Sequence, residues 1–340
     1  MKKNQITGHS NVWVSRWNYR GKASVWIPYL VSIKRVKKGV PIYHVAFNGG
    51  QLEIDLRKFE FIMLYGACGD LSLEFLDDLN KHKIILTIHR RNISDNLIFT
   101  PQSLSSKEDV LSSQILFRKN QKKLVYISRR LIQERVKSMN WIEDFHKEEI
   151  KKFNKLNSLS SLRSMEAVLT KRYWAKFYKD LDLDINRREG HPVNSALDAC
   201  SNFLSGIVLR WVLFHKLSPS HGYLHQQTTC NSLVYYLMEP FRYIIEQAVF
   251  YACMDAGQGK EDKFVAYSLE RMKSLLLEPI YSPRLRQKMA RRGLLHGSVL
   301  SLRSYLLGGT KKLVLPNEGS KVTGGRKINV SYRIPGAVDA

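Results

Sequence analysis

The sequence predicts an α+β protein of two domains, a small N-terminal β-rich domain followed by a larger all-α domain. Two observations carry the prediction. Up to about Asn96 the apolar residues mostly alternate at period two, and from about Ser106 to Asp255 they recur at helical spacing. Between these regimes lies Pro101-Gln102-Ser103-Leu104-Ser105-Ser106, a polar stretch of the kind that joins domains. The divisions are 1–100, 101–312 and a basic, flexible C-terminal tail over 313–340. A chain of 340 residues, 44% of them hydrophobic, can bury a sizeable core.

The first domain is justified strand by strand. Val12-Trp13-Val14 alternates with polar neighbours, and Val25-Trp26-Ile27 and Leu30 to Ile33 are β-branched and aromatic. A turn at Lys37 to Pro41 leads to Ile42 to Phe47, and Asn48-Gly49-Gly50 turns the chain into the alternating run Gln51 to Leu56. Leu71 to Leu79 switches to helical spacing, an apolar strand runs from Lys83 to Ile88, and His89-Arg90-Arg91-Asn92 closes it.

The second domain opens at Ser106, where Glu108 and Asp109 suit the positive end of a helix dipole. One long Arg- and Lys-rich helix is expected from Val110 to Phe145. Further helices follow over Ser158–Asp180, Ser195–Lys216, Ser232–Ala256 and Asp262–Leu277, the second of these running through the core.

The chain carries 54 Lys+Arg against 30 Asp+Glu, a formal charge of +24. Such an excess calls for a polyanion: nucleic acid first, an anionic membrane surface second. Between Glu278 and Glu318 no acid occurs, while Arg284, Arg286, Lys288, Arg291, Arg292, Arg303, Lys311 and Lys312 do. This interval reads either as a solvated basic face or as a surface that follows DNA phosphates, and the second reading is preferred. The four cysteines are scattered without a CxxC pair, which argues against a zinc cluster or a disulfide framework. No signal-peptide pattern and no run of about 18 uninterrupted apolar residues is seen, so a soluble cytoplasmic protein is expected.

No P-loop, HExxH, GxSxG or dinucleotide fingerprint is present. Attention therefore falls on ionisable residues set among apolar ones: Glu166, His225 and Glu239. Glu166 alone fits an exposed face, and a lone His225 fits a structural role. Glu239, inside an apolar helix, needs a partner, and Arg242 three residues on can be it. Together, two carboxylates and an imidazole suit Mg²⁺ or Mn²⁺, which can neutralise phosphoryl oxygens and activate a nucleophile. They lie on separate segments, so only the fold can bring them together.

At these residues the chain resembles the CRISPR-associated integrase of spacer acquisition, the Cas-one family. The likeness rests on an order of pieces: Met165-Glu166-Ala167, then Arg187 and Arg188, then His191-Pro192-Val193-Asn194. His221-Gly222-Tyr223-Leu224-His225 and the run from Ser232-Leu233 to Glu239-Pro240-Phe241-Arg242 complete it. The resemblance implies an N-terminal β domain that makes dimer and partner contacts, and a helical catalytic domain. It implies a divalent metal on Glu166, His225 and Glu239, with phosphates held or carboxylates braced by Arg187, Arg188 and Arg242, and DNA followed by Arg284, Arg286, Lys288, Arg291 and Arg292. Asn194 is expected to fix a turn at the start of its helix. The implied reaction is attack by a DNA fragment's 3′-hydroxyl on a CRISPR repeat border, which makes the chain a metal-dependent integrase and endonuclease. The implied partners are double-stranded DNA (prespacer and repeat), a second copy of the chain or a higher oligomer, and the small companion Cas-two protein, with no membrane. Tyr236 stands where many members have Asp, Glu239 where Asp is common, Tyr223 for Phe and Tyr243 for Pro. The rival readings are a nuclease on branched DNA and a DNA-binding scaffold whose metal site has decayed.

Overall fold

The structure, a computed structural model, describes residues 13–16, 23–66, 70–89, 96–101, 109–256, 261–285 and 287–319. The chain divides into two compact units between Leu104 and Ser105.

In the first unit, β1 (Trp13–Arg16), β2 (Ala23–Pro28), β6 (Phe59–Tyr65), β7 (Ile85–His89) and β8 (Leu97–Phe99) form a five-stranded sheet in the order β1-β2-β6-β7-β8. β2, β6 and β7 run parallel, and β1 and β8 flank them antiparallel. The second sheet is an antiparallel meander of β3 (Leu30–Arg35), β4 (Ile42–Phe47) and β5 (Gly50–Asp55). Gly49, at φ +117°, makes the β4–β5 turn, a conformation open to glycine. The helix α1 (Leu73–His82) starts where the Ser72 hydroxyl accepts the Phe75 N–H at 3.2 Å, and it joins the parallel strands β6 and β7. Phe75 and Leu79 of α1 share one core with Val25, Ile27, Val45, Ile54, Ile62 and Leu64.

The middle strand, β6, has no counterpart among the strands that the sequence predicts. Every residue of Phe-Glu-Phe-Ile-Met-Leu-Tyr is buried, so no polar face alternates with an apolar one. Parallel strands covered on both faces lose that signal.

Among the described residues the second unit is helical, with one hairpin. Its helices are α2 (Val110–Lys119), α3 (Gln121–Ser138), α4 (Lys147–Lys152), α5 (Leu159–Asp180), α6 (Pro192–Phe214), α7 (Ser232–Met238), α8 (Tyr243–Ala256), α9 (Glu261–Leu277) and α10 (Gly293–Leu306). The single helix expected over Val110–Phe145 is two, broken at Asn120. That residue ends α2 in an extended conformation, and its side chain caps α3 by accepting the Lys123 N–H at 3.1 Å. The helix start expected at Ser106 and Glu108 lies outside the described residues; Asp109 caps α2, accepting the Ser112 N–H at 3.0 Å. The helix expected over Ser232–Ala256 is likewise divided, by a 3₁₀ turn at Glu239–Phe241 where Pro240 cannot continue the α7 ladder.

Helix α6 is long and apolar enough to cross a membrane, but most of that stretch is buried inside the fold. Phe203, Leu204, Val208 and Val212 are among its fully enclosed residues. The basic interval is not a plain helix and tail. It contains the antiparallel pair β9 (Pro279–Ser282) and β10 (Gln287–Ala290), then α10. The first residues of the expected tail are packed, with Leu313 and Leu315 almost wholly buried. Residues 320–340 lie outside the described part.

Candidate metal centre

Glu166 comes from the middle of α5, Glu239 from the 3₁₀ turn after α7, and His225 from the loop between α6 and α7. Their electrostatics link them. Burial and then the charge of Glu239 push the Glu166 carboxyl up to about 7, against the pull of Arg135, Arg163 and Arg242. His225 falls below the ordinary histidine value through partial burial and then Arg163, with Glu239 opposing. An imidazole and two carboxylates are donor types that suit Mg²⁺ or Mn²⁺.

The carboxylate of Glu239 is engaged by arginines. Arg242 Nη1 donates to its Oε1 at 3.0 Å, and Arg135 Nε lies 3.4 Å from its Oε2. Arg135 is itself buried and forms a two-pronged pair with Glu246, at 3.1 and 2.5 Å, while the Tyr173 hydroxyl donates to Glu246 at 2.8 Å. The pairing that the sequence offered for Glu239 as a bystander is thus present, and it sits within the field of Glu166. Among the described residues no three His, Cys, Asp or Glu side chains converge closely enough to hold a metal ion. Tyr236, in the position where a carboxylate is common, is buried and its hydroxyl donates to the Ser128 carbonyl of α3 at 2.9 Å.

The loop that carries His225 is built to one shape. Gly222 runs so close to the first turn of α7 that a Cβ there would lie 2.9 Å from the Ser232 carbonyl carbon. The Ser232 hydroxyl accepts the Gly222 N–H at 3.0 Å and donates to the Ser220 carbonyl at 2.9 Å. Tyr223 and Leu224 are fully buried, and His225 emerges beside them exposed. Arg163, one helical turn before Glu166, donates to the Leu224 carbonyl, tying α5 to this loop.

Arg242 stands at the centre. Arg187 pairs with Asp198 and lies over the Trp174 ring, 5.8 Å from its centroid, and Arg188 is exposed. Asn194 does fix a turn: its amide donates to the Asn186 and Glu189 carbonyls at 2.9 and 2.8 Å and accepts the Tyr178 hydroxyl at 2.6 Å.

The interval expected to follow DNA phosphates is largely occupied by contacts within the protein. Arg291 and Arg292 are buried. Arg291 binds Glu318 with two prongs at 2.9 Å and Glu278 at 2.7 Å, so the acids bounding the acid-free interval fold back onto its middle. Arg284 pairs with Glu134 at 2.9 Å and donates to the Leu315 carbonyl at 2.8 Å. The guanidiniums of Arg284 and Arg291 are thus engaged by carboxylates and carbonyls of the protein. Lys288 is half-buried on β10, and Arg286 lies outside the described residues.

Sequence reasoning missed Arg135, Arg163 and Glu246. The one signal for them was Glu246 itself, an acid set in Ile244-Ile245-Glu246-Gln247-Ala248-Val249 that had to find a buried cation.

The family model described as CRISPR associated protein Cas1 matches residues 33–277. The CRISPR-associated endonuclease Cas1 of Korarchaeum cryptofilum (strain OPF8) is 47% identical over 60 residues, 17% of this chain and 18% of that protein. The chain thus aligns with under a fifth of that relative's length. Among solved structures, a casposase bound to its integration product superposes with a TM-score of 0.74 at 18% identity, covering 85% of this chain and 92% of that one. A Cas1 protein from Thermotoga maritima gives 0.71 at 19% identity, over 88% and 100%. A Cas6-RT-Cas1–Cas2 complex gives 0.68 at 14% identity, over 89% and 37%. At these identities the structural likeness is one of fold.

Proposed function

Since the chain belongs to the CRISPR-associated Cas1 family, we propose that it is a metal-dependent DNA integrase and endonuclease of CRISPR adaptation. It joins the 3′-hydroxyl of a short DNA fragment to a phosphodiester at the CRISPR repeat by transesterification. The observation that carries this reading is that the fold brings three separate segments into one electrostatic neighbourhood, with Glu166 of α5 in the field of Glu239 and Glu239 in that of His225. Two carboxylates forced into one another's field are an arrangement that a divalent cation relieves.

Glu166, His225 and Glu239 would hold Mg²⁺ or Mn²⁺, which when bound neutralises charge on the scissile phosphate and activates the attacking hydroxyl. The protein's own part is positional. Arg135, fixed by Glu246 and Tyr173, and Arg242 hold the Glu239 carboxylate in place. Arg163 keeps the His225 loop against α5. Arg188, exposed, and Arg187, over Trp174, are suited to backbone phosphates of prespacer and repeat DNA. The neighbour with a companion Cas2 in its assembly supports a companion subunit here, and the proposed setting is a homodimer or higher oligomer in the cytoplasm.

A strand-joining assay tests this. DNA with free 3′-hydroxyl ends, a plasmid bearing a repeat array and Mn²⁺ or Mg²⁺ should give joined product. Glu166→Gln, His225→Ala and Glu239→Gln should each lower its rate at least about a hundredfold, while DNA affinity stays within about twofold. Joining that survives in all three variants refutes the site. The capture of Glu239 by two arginines favours one second reading, a DNA-binding scaffold with a decayed centre. No joining with any divalent ion, alongside intact DNA binding, would establish it.

A further inference from the structure

Helix α2 carries no residue of the proposed triad, yet one of its faces grips the loop that presents His225. Gln114 is completely buried. Its amide oxygen accepts the Ser218 N–H at 2.8 Å, and its amide nitrogen donates to the Ser218 carbonyl at 3.0 Å and the His221 carbonyl at 2.9 Å. Both amide hydrogens are thereby used. The opposite orientation would set the oxygen against two carbonyls, so the pattern admits one placement. Gln114 pairs with Ser218 as a neighbouring strand would, fixing the loop where it leaves α6. One turn along the same face, Arg118 Nη2 donates to the Gln226 carbonyl at 2.5 Å. Arg163 holds the Leu224 carbonyl, so the carbonyls on either side of His225 are each bound by an arginine.

The geometry points to Gln114 and Arg118 as positioning residues for His225: α2 is the brace that aims the imidazole at the site. Neither residue touches the reacting groups. Both act through the backbone of residues 218–226, and the inference rests on His225 being a metal ligand as proposed above. Buried three-bond contacts of this kind are costly to leave unmade, because an apolar replacement strands one N–H and two carbonyls in the interior.

Three variants test the brace in the full chain: Gln114→Met, which keeps the volume and removes all three bonds, Gln114→Glu, which keeps only the acceptor, and the milder Arg118→Ala on the half-exposed end. Three readouts are taken, namely amide hydrogen exchange of 218–226, Mn²⁺ binding followed by electron paramagnetic resonance, and the kcat and KM of strand joining. Gln114→Met should speed exchange of the Ser218 and Gly222 amides at least about tenfold and weaken Mn²⁺ binding and kcat by about 10–100-fold, the usual range for groups that orient a ligand. KM for DNA should hold. Arg118→Ala should show the same pattern in smaller measure, and Gln114→Glu at least as strongly as Gln114→Met, because it sets a buried carboxylate oxygen against two carbonyls. Faster exchange with unchanged Mn²⁺ affinity and kcat in all three variants overturns the inference, as does unchanged exchange. Should Gln114→Met fail to fold, Arg118→Ala alone decides on the same criteria. A native protein that binds Mn²⁺ and joins strands while these variants do so equally well sinks only the brace; a native protein that does neither sinks the functional reading with it.

Discussion

Half-buried on α5 and in the field of Glu239, Glu166 keeps its proton up to about pH 7. A divalent cation bound there must displace that proton, so affinity and pH are linked. Below pH 7 the apparent Mn²⁺ affinity should fall by about tenfold per pH unit, and above it the curve should level. Glu166→Gln should remove this slope together with much of the affinity. Titration calorimetry in buffers of differing ionisation heat checks it, since about one proton should be released per ion at pH 6 and fewer at pH 8. A flat profile from pH 5.5 to 7 would exclude the linkage. The same shift bears on folding in the absence of metal. The folded-state value lies above the ordinary carboxylate range, so this group favours the fold most below about pH 4, and the advantage is lost as pH rises towards 7. At this scale the sequence was partly legible. Glu239 stood out as an acid in an apolar run, but its two cations were not readable together: Arg242 is a neighbour along the chain, while Arg135 sits on another helix.

At the scale of elements, breaks decide where side chains end up. Pro240 lies inside the run read as one helix over Ser232–Ala256 and breaks it, placing Glu239 in a 3₁₀ turn. Asn120 gave little warning, because asparagine is only mildly unfavourable inside a helix and acts as a cap when the packing asks for one. Helices α6 and α10 meet at a pair that the sequence did not announce. His215 and His296 approach Nε2 to Nε2 at 2.8 Å, and His296 stacks on Trp211 with centroids 3.7 Å apart. One ring must donate and the other accept, so the accepting ring is neutral. Burial is the first cause that lowers each, His215 to about 4 and His296 further. The unfolded chain therefore binds protons that the folded chain refuses, and stability falls as pH drops below about 6.5. Two such groups give a slope of up to about 2.7 kcal/mol per pH unit. His215→Gln keeps a hydrogen-bond partner for His296 and removes one titration, so urea melts between pH 6.5 and 4.5 should lose about half of that extra slope. An identical pH dependence in variant and native protein would mean that the pair does not titrate on unfolding.

For the whole molecule, a charge of +24 favours a polyanionic partner but does not say which residues would meet it. The count treats all arginines alike, and the fold does not. Arg284 and Arg291 close ion pairs with Glu134, Glu278 and Glu318, and they tie the 313–319 segment to the helical unit. Arg188 is exposed, and Arg187 is held at the surface between Asp198 and Trp174. An acid-free interval in sequence is therefore no guide to potential in space, because its partners arrive from elsewhere in the chain. The distinction can be measured. Each phosphate contact releases condensed counterions, so log affinity for duplex DNA falls with log salt by about 0.9 per contact. Replacing Arg187 and Arg188 by Ala should each reduce the magnitude of that slope by about 1, weaken binding at low salt and leave the melting temperature within about a degree. Replacing Arg284 or Arg291 by Ala should do the reverse. The slope holds, while the melt drops by several degrees because Glu134, or Glu278 and Glu318, is left without its cation. Fluorescence anisotropy on one duplex from 50 to 300 mM salt, paired with calorimetric melts of the same samples, separates the two classes. A loss of salt slope in Arg291→Ala at unchanged stability would restore the buried interval as DNA-contacting surface and reverse the assignment made from its ion pairs.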